Sequence, residues 1–298
     1  MQMNLQTPAT AAPSISSSAM FVELSIATWT GRKLDKRASS EVTTSNNAAK
    51  GVANVNKKLL GDCAELDAVQ KFVANARNVH YSSTMPWSDM GLRLLPTARM
   101  FKYNEQMTAL QGEFQVLVNK FLDAYGWEIG QAQIKLGDLF NPDEYPSTDK
   151  LAEKFRFNLN MMPVPDVGDF RLDINNEARD LLTQQYADYY TTQLKNAMSD
   201  LWQRARASLA KMSERLDYAD RDTKKVFRDS LVDNVVEIVD LMKTCNITGD
   251  SHMAAIATSL ENALLGVTPD ALRADDYLRY ETKQQIDQAL KALPSLDL

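Results

Sequence analysis

The chain is poor in the residues that most site chemistries need. Among 298 residues there are only two histidines and two cysteines. Cys63 and Cys245 do not make the disulfide framework of a small secreted scaffold. The opening MQMNLQTPATAAPSISSSAM has neither a basic start nor a continuous apolar core. It reads as a flexible arm rather than a secretory signal, so free thiols in a reducing, cytoplasmic setting are expected. No uninterrupted apolar run is long enough to cross a bilayer. His80 and His252 stand far apart, and neither shares a short run with cysteines or carboxylates, which removes the usual zinc signatures. Cys63 has no nameable base or orienting partner in the sequence and reads as a small inert hydrophobe. No metal and no cofactor is expected.

Phosphate and calcium loops are missing as well. Gly51 to Lys57 has one glycine and a lysine but lacks the second glycine and the hydroxyl of a nucleotide-binding loop. The acidic stretch from Asp138 to Asp149 spaces oxygens somewhat like a calcium loop. It has neither the central glycine nor the terminal glutamate, and it carries prolines. Carboxylate pairs such as Asp275 and Asp276, or Asp220 and Asp222, are adjacent on predicted helices and point in different directions. With no catalytic motif, a non-enzymatic role is expected.

What the chain does have is helical periodicity. Met107, Leu110, Phe114, Leu117 and Phe121 recur at steps of three and four, as do Leu194, Met198, Leu201, Leu209 and Met212. The spacing predicts two long amphipathic helices, over 98–129 and 175–217, the first ending near Gly126 or Gly130. Seams of that length suit a neighbouring helix or a coiled-coil contact with another copy of the chain. Shorter helices are predicted over 57–79, from Ser147 or Thr148 through Leu159, over 220–244 and over 251–265. A last one runs from a Thr268-Pro269-Asp270 start towards Leu293. Residues 38–56 read equally as loop or weak helix. Apolar alternation in 21–29, and again at Phe170, Leu172 and Ile174, predicts two short strands paired with each other. The expected fold is therefore mainly α: long antiparallel helices with a minor two-stranded β element. Its expected parts are an arm (1–19), a helical core with the β element (20–217) and a C-terminal helical region (218–298).

Charge is uneven. Residues 1–100 carry 11 basic and 7 acidic side chains and the remainder 22 and 32, within an overall balance of −6. The body is thus no generic polyanion binder. The N-terminal cluster Arg32, Lys33, Lys36 and Arg37, with Lys57 and Lys58, is the best candidate nucleic-acid contact, and Trp29 beside it offers a ring for an unpaired base. No helix-turn-helix or finger accompanies it, so single strands fit better than duplex. The competing reading packs Trp29 at the end of a strand and turns the charges to water. Trp87 and Arg93 lie in a segment bracketed by two prolines and a glycine, which predicts an ordered loop or interface. Arg93 is expected to reach an internal carboxylate in preference to a partner's phosphate.

The segments LSIATWTGRK (24–33) and PWSDMGLRLLP (86–96) resemble a phage and bacterial domain family of unknown function. Its members tend to be encoded near MoxR-type AAA ATPases and von Willebrand A-like proteins. The resemblance spans 20 to roughly 215. It implies a phage or mobile-element protein in the host cytoplasm, self-associating or serving as accessory to a ring ATPase, and it carries over no catalytic residues. The alternative kept from the charge pattern is a single-stranded DNA-binding accessory in phage replication, recombination or transcription.

Overall fold

The structure is a computed structural model that describes residues 15–165, 176–217 and 228–295. It is mainly α-helical. The strand expected at 170–174 and the start of the helix expected at 220–244 lie outside the described residues.

In chain order the elements begin with a single turn α1 (Ile15–Ser18), then β1 (Ala19–Ala27), β2 (Arg32–Asp35), α2 (Lys36–Ser45), β3 (Val55–Lys58) and α3 (Ala64–Ser83). Next come β4 (Met85–Pro86), β5 (Arg93–Pro96), the long α4 (Met100–Leu136), α5 (Thr148–Ala152) and β6 (Arg156–Pro163). The chain continues through α6 (Asn176–Leu216), α7 (Ser230–Thr244), α8 (Ser251–Leu264), α9 (Pro269–Ala274) and α10 (Asp276–Ala292).

The β element is larger than the sequence suggests. One sheet has four strands in the order β4-β5-β1-β6, and β2 pairs with β3 in a separate two-stranded sheet. β1 lies antiparallel to β5, with Ala19 opposite Pro96 and Val22 opposite Arg93. The segment read as a loop supplies two strands, and the helix read from Ser147 or Thr148 through Leu159 starts there as α5 but ends at Ala152, its remainder from Arg156 being strand β6. Both prolines of β4 and β6 sit on edge strands, where a missing N–H costs no ladder bond.

Other predicted helices also have different ends. The one expected over 57–79 begins at Ala64 and runs to Ser83, because Val55–Lys58 pairs as strand β3. α4 continues through Gly126 and Gly130 for 37 residues. Its inner face runs on with Phe121, Tyr125, Glu128 and Ala132, all buried, and this packing outweighs the glycine penalty of about 1 kcal/mol each. The last predicted helix is two. Asp275 accepts hydrogen bonds from the backbone of Tyr277 and Leu278 and so caps α10 just after α9 ends. The start at Thr268 is as the sequence predicts: its hydroxyl accepts from Ala271 N, with proline in the first turn.

The chain forms two compact units, each discontinuous in sequence. The first comprises residues 1–23, 81–102 and 161–298, the second 24–80 and 103–160. In the first, Leu201, Leu209 and Met212 on α6 are fully buried in a core shared with Val235, Met242, Met253 and Ile286. Leu194 and Met198 pack partly buried against that core. In the second, α4 presents Phe121 to Phe155 at 5.6 Å and Phe114 to Phe157 at 5.7 Å between ring centroids.

Candidate functional site

Of the predicted nucleic-acid residues, Arg32, Lys33, Lys57 and Lys58 lie on the paired strands β2 and β3 of the second unit, Lys36 and Arg37 open α2, and Trp29 precedes β2. Gly31 makes the approach possible. Its φ is +63°, and a Cβ there would lie 2.8 Å from Leu66 Cδ2. Leu59 N donates to Gly31 O at 2.7 Å and extends the pairing of β2 with β3 by one position. The antiparallel register then sets Arg32 opposite Lys58 and Lys33 opposite Lys57. Four cations facing one another across two strands repel, and carboxylates offset them.

Lys57 is the most enclosed. Its ammonium lies 2.7 Å from Glu144 and 3.5 Å from Asp35, and it donates to Leu139 O at 2.8 Å. Burial works to lower its pKa, but the hydrogen bond and charge of Glu144, with Asp35, overcome this and the net shift is upward. Asp35 is held below the usual carboxylate range, first by the backbone N–H of Ala38 it accepts at the start of α2; burial opposes this and Lys57 assists. Lys33 lies 3.9 Å from Glu144, Arg37 3.5 Å from Glu41 and Lys58 3.0 Å from Asp62. Arg32 and Lys36 are exposed and have no ion-pair partner among the described residues.

Trp29 is partly buried among aromatics, 6.2 Å from the Phe121 ring and edge-on to Tyr125 at 5.9 Å. Its ring therefore packs within its own unit, as the competing sequence reading had it. Trp87 is likewise internal to the first unit. It is 3% exposed, 5.1 Å from Phe21 and 4.9 Å from Tyr190. Arg93 turns inward. Its guanidinium donates to Thr84 Oγ1 at 2.6 Å and Thr84 O at 2.9 Å and lies 5.0 Å over the Tyr81 ring. Tyr186 and Tyr190 pack against each other at 5.7 Å.

Three features escaped the sequence. A cavity of about 420 Å³ in the first unit is lined by Arg204, Ser208, Asn234, Glu237 and Leu241 among others. Arg204, on its wall, is fixed by Asp200 at 2.8 Å and by the carbonyls of Ser82 and Thr84, each at 3.1 Å. In the second unit, Cys63, Glu65 and Glu128 bring one sulfur and two carboxylate oxygens within 4.8 Å of one another. Neither histidine belongs to that group: His80 Nδ1 is 2.6 Å from the Tyr103 hydroxyl, and in the first unit His252 lies beside Trp202.

The third feature is a row on the outer face of α4. Val116, Trp127 and Ile134 are 54%, 67% and 78% exposed. At roughly 100° per residue, steps of 11 and 18 return these side chains to within about 20° of one line. Gly130 stands about 40° from Val116 on the same exposed side, and an added Cβ there would meet nothing within 4 Å. A stripe on the side facing away from the core leaves a weak sequence signal, because the buried stripe dominates the periodicity. No helix among the described residues is long and apolar enough to cross a membrane.

Comparison with protein-family models, with curated proteins and with solved structures finds no match.

Proposed function

We propose that the protein is a non-enzymatic interaction module that docks a second protein chain along the outer face of α4. The observation that carries this reading is the exposed row of Val116, Trp127 and Ile134. An indole two-thirds exposed beside an open glycine is the kind of anchor that dominates protein interfaces, where tryptophan is enriched and most other contacts contribute little. Self-association and docking onto a ring ATPase are the two forms of the proposal. The ATPase form leans on the family that segments 24–33 and 86–96 resemble. The predicted seam of α6 is not what supports either form, since Leu201, Leu209 and Met212 are enclosed by their own unit.

The test pairs Trp127→Ala with Ile134→Ser. Light scattering of the wild-type chain, alone and mixed with the neighbouring ATPase, reports a complex. The double variant keeps the wild-type melting curve and loses that complex by at least tenfold in affinity. A complex unchanged in the double variant, or no complex in either sample, removes the proposal.

The single-stranded DNA reading has less behind it. Trp29 is engaged with Phe121 and Tyr125 and most of the cluster faces carboxylates, so its support is Arg32 and Lys36. Anisotropy with a labelled single strand at two salt concentrations tests it. Salt-sensitive binding that Arg32→Ala with Lys36→Ala abolishes would put it first.

A further inference from the structure

We propose that Cys63, Glu65 and Glu128 form a binding site for a single divalent transition-metal ion of zinc type. The three donors come from two helices of the same unit. Cys63 immediately precedes α3, Glu65 lies in its first turn, and Glu128 projects from the buried face of α4. Their donor atoms all fall within 4.8 Å of one another, near enough that small side-chain adjustments would bring all three onto one ion at ligand bonds of about 2.0 to 2.3 Å.

The second observation is the state of Glu128. The residue is 5% exposed, and its Oε2 is buried with no hydrogen-bond partner among the described residues. Neither Glu65 nor Glu128 has an ion-pair partner among them either. A carboxylate enclosed in this way is costly, and a cation is what relieves it. Within the group the Cys63 thiol donates to Glu65 Oε2 at 3.8 Å. A bound dication would take the place of that thiol proton and pair the sulfur with both carboxylates.

The donor set selects the metal. A thiolate ligand disfavours calcium and magnesium, which take oxygen, and suits zinc or cobalt, with carboxylates completing a tetrahedral shell. Three protein ligands leave the fourth position to water. A pocket of about 50 Å³, lined by Arg32, Lys58, Gly61, Cys63 and Gln70 among others, adjoins the cysteine and has room for a water.

Cobalt(II) alone, titrated into chelator-treated full-length protein, tests the site. Expected is one equivalent bound, with a thiolate-to-cobalt charge-transfer band that zinc displaces. Cys63→Ser abolishes the band, and Glu128→Gln weakens binding at least tenfold. Glu65→Gln, at a partly exposed position that leaves the core untouched, weakens it as well and stands in should either buried variant fail to fold. Zinc raises the melting temperature of the wild type and not that of Glu65→Gln. No saturable cobalt binding overturns the proposal. So does a charge-transfer band that survives Cys63→Ser, because the metal then sits on Cys245 or elsewhere, and so does full affinity in Glu65→Gln.

Discussion

Lys57 shows how a residue that resembles a ligand contact can be a structural one. From the sequence it belongs to a basic cluster. In the fold, Asp35 and Glu144 enclose it and a backbone carbonyl takes one of its protons. Lys57→Met leaves two carboxylates facing each other, and the expected cost is about 1–3 kcal/mol, below that of a fully buried pair because all three groups keep some solvent. The pH dependence follows from the two shifts. Asp35 is lowered from 3.8, so its contribution holds above that value and is lost as pH falls through its folded pKa. Lys57 is raised from 10.5, so its contribution holds below that value and is lost as pH climbs past it. Urea melts from pH 2 to 11 check both, and in Lys57→Met the alkaline loss is reduced. A variant as stable as the wild type at neutral pH would show that the network contributes nothing. The sequence displays Lys57 plainly but not Glu144, which is 87 positions away and enters only through the tertiary fold.

At the scale of elements, α4 and β6 show where periodicity misleads. Gly126 and Gly130 read as stops, yet the inner-face pattern of Tyr125, Glu128 and Ala132 carries the helix past both. An added Cβ meets nothing within 4 Å at either glycine. Gly126→Ala and Gly130→Ala are therefore each expected to stabilise by about 0.5–1 kcal/mol, measured by chemical denaturation. The two then separate in binding. Gly130 stands nearer the exposed row than Gly126, about 40° from Val116 against about 80°, so the methyl at 130 should disturb docking more. β6 hid for a different reason. Phe157, Leu159 and Met161 alternate, but over so few residues a period of two and a short helix are hard to tell apart. β4 and β5 hid among prolines and a glycine that punctuate a loop equally well.

On the scale of the whole molecule, the helical class and the long periodic segments were legible, because buried stripes on α4 and α6 repeat many times. The division into units was not. Each unit is assembled from stretches separated by dozens of residues, and linear order holds no trace of that. The Cys63 cluster was illegible for the same reason, since Glu128 stands 65 positions from the cysteine. The α6 stripe belongs wholly to the core of the first unit. Leu209→Ala there is expected to cost about 2–5 kcal/mol, the range for deleting a fully buried leucine side chain. Equilibrium unfolding gives the number, and a loss under 1 kcal/mol would mean that the core closes around the gap.

The four tryptophans have unequal surroundings: Trp87 and Trp202 are 3% and 8% exposed, Trp29 is partly buried, and Trp127 is 67% exposed. The intrinsic fluorescence is thereby split into shielded emitters and one wetted by solvent. A neutral collisional quencher such as acrylamide acts mainly on that one, and a chain that covers α4 shifts its emission to shorter wavelength without any attached dye.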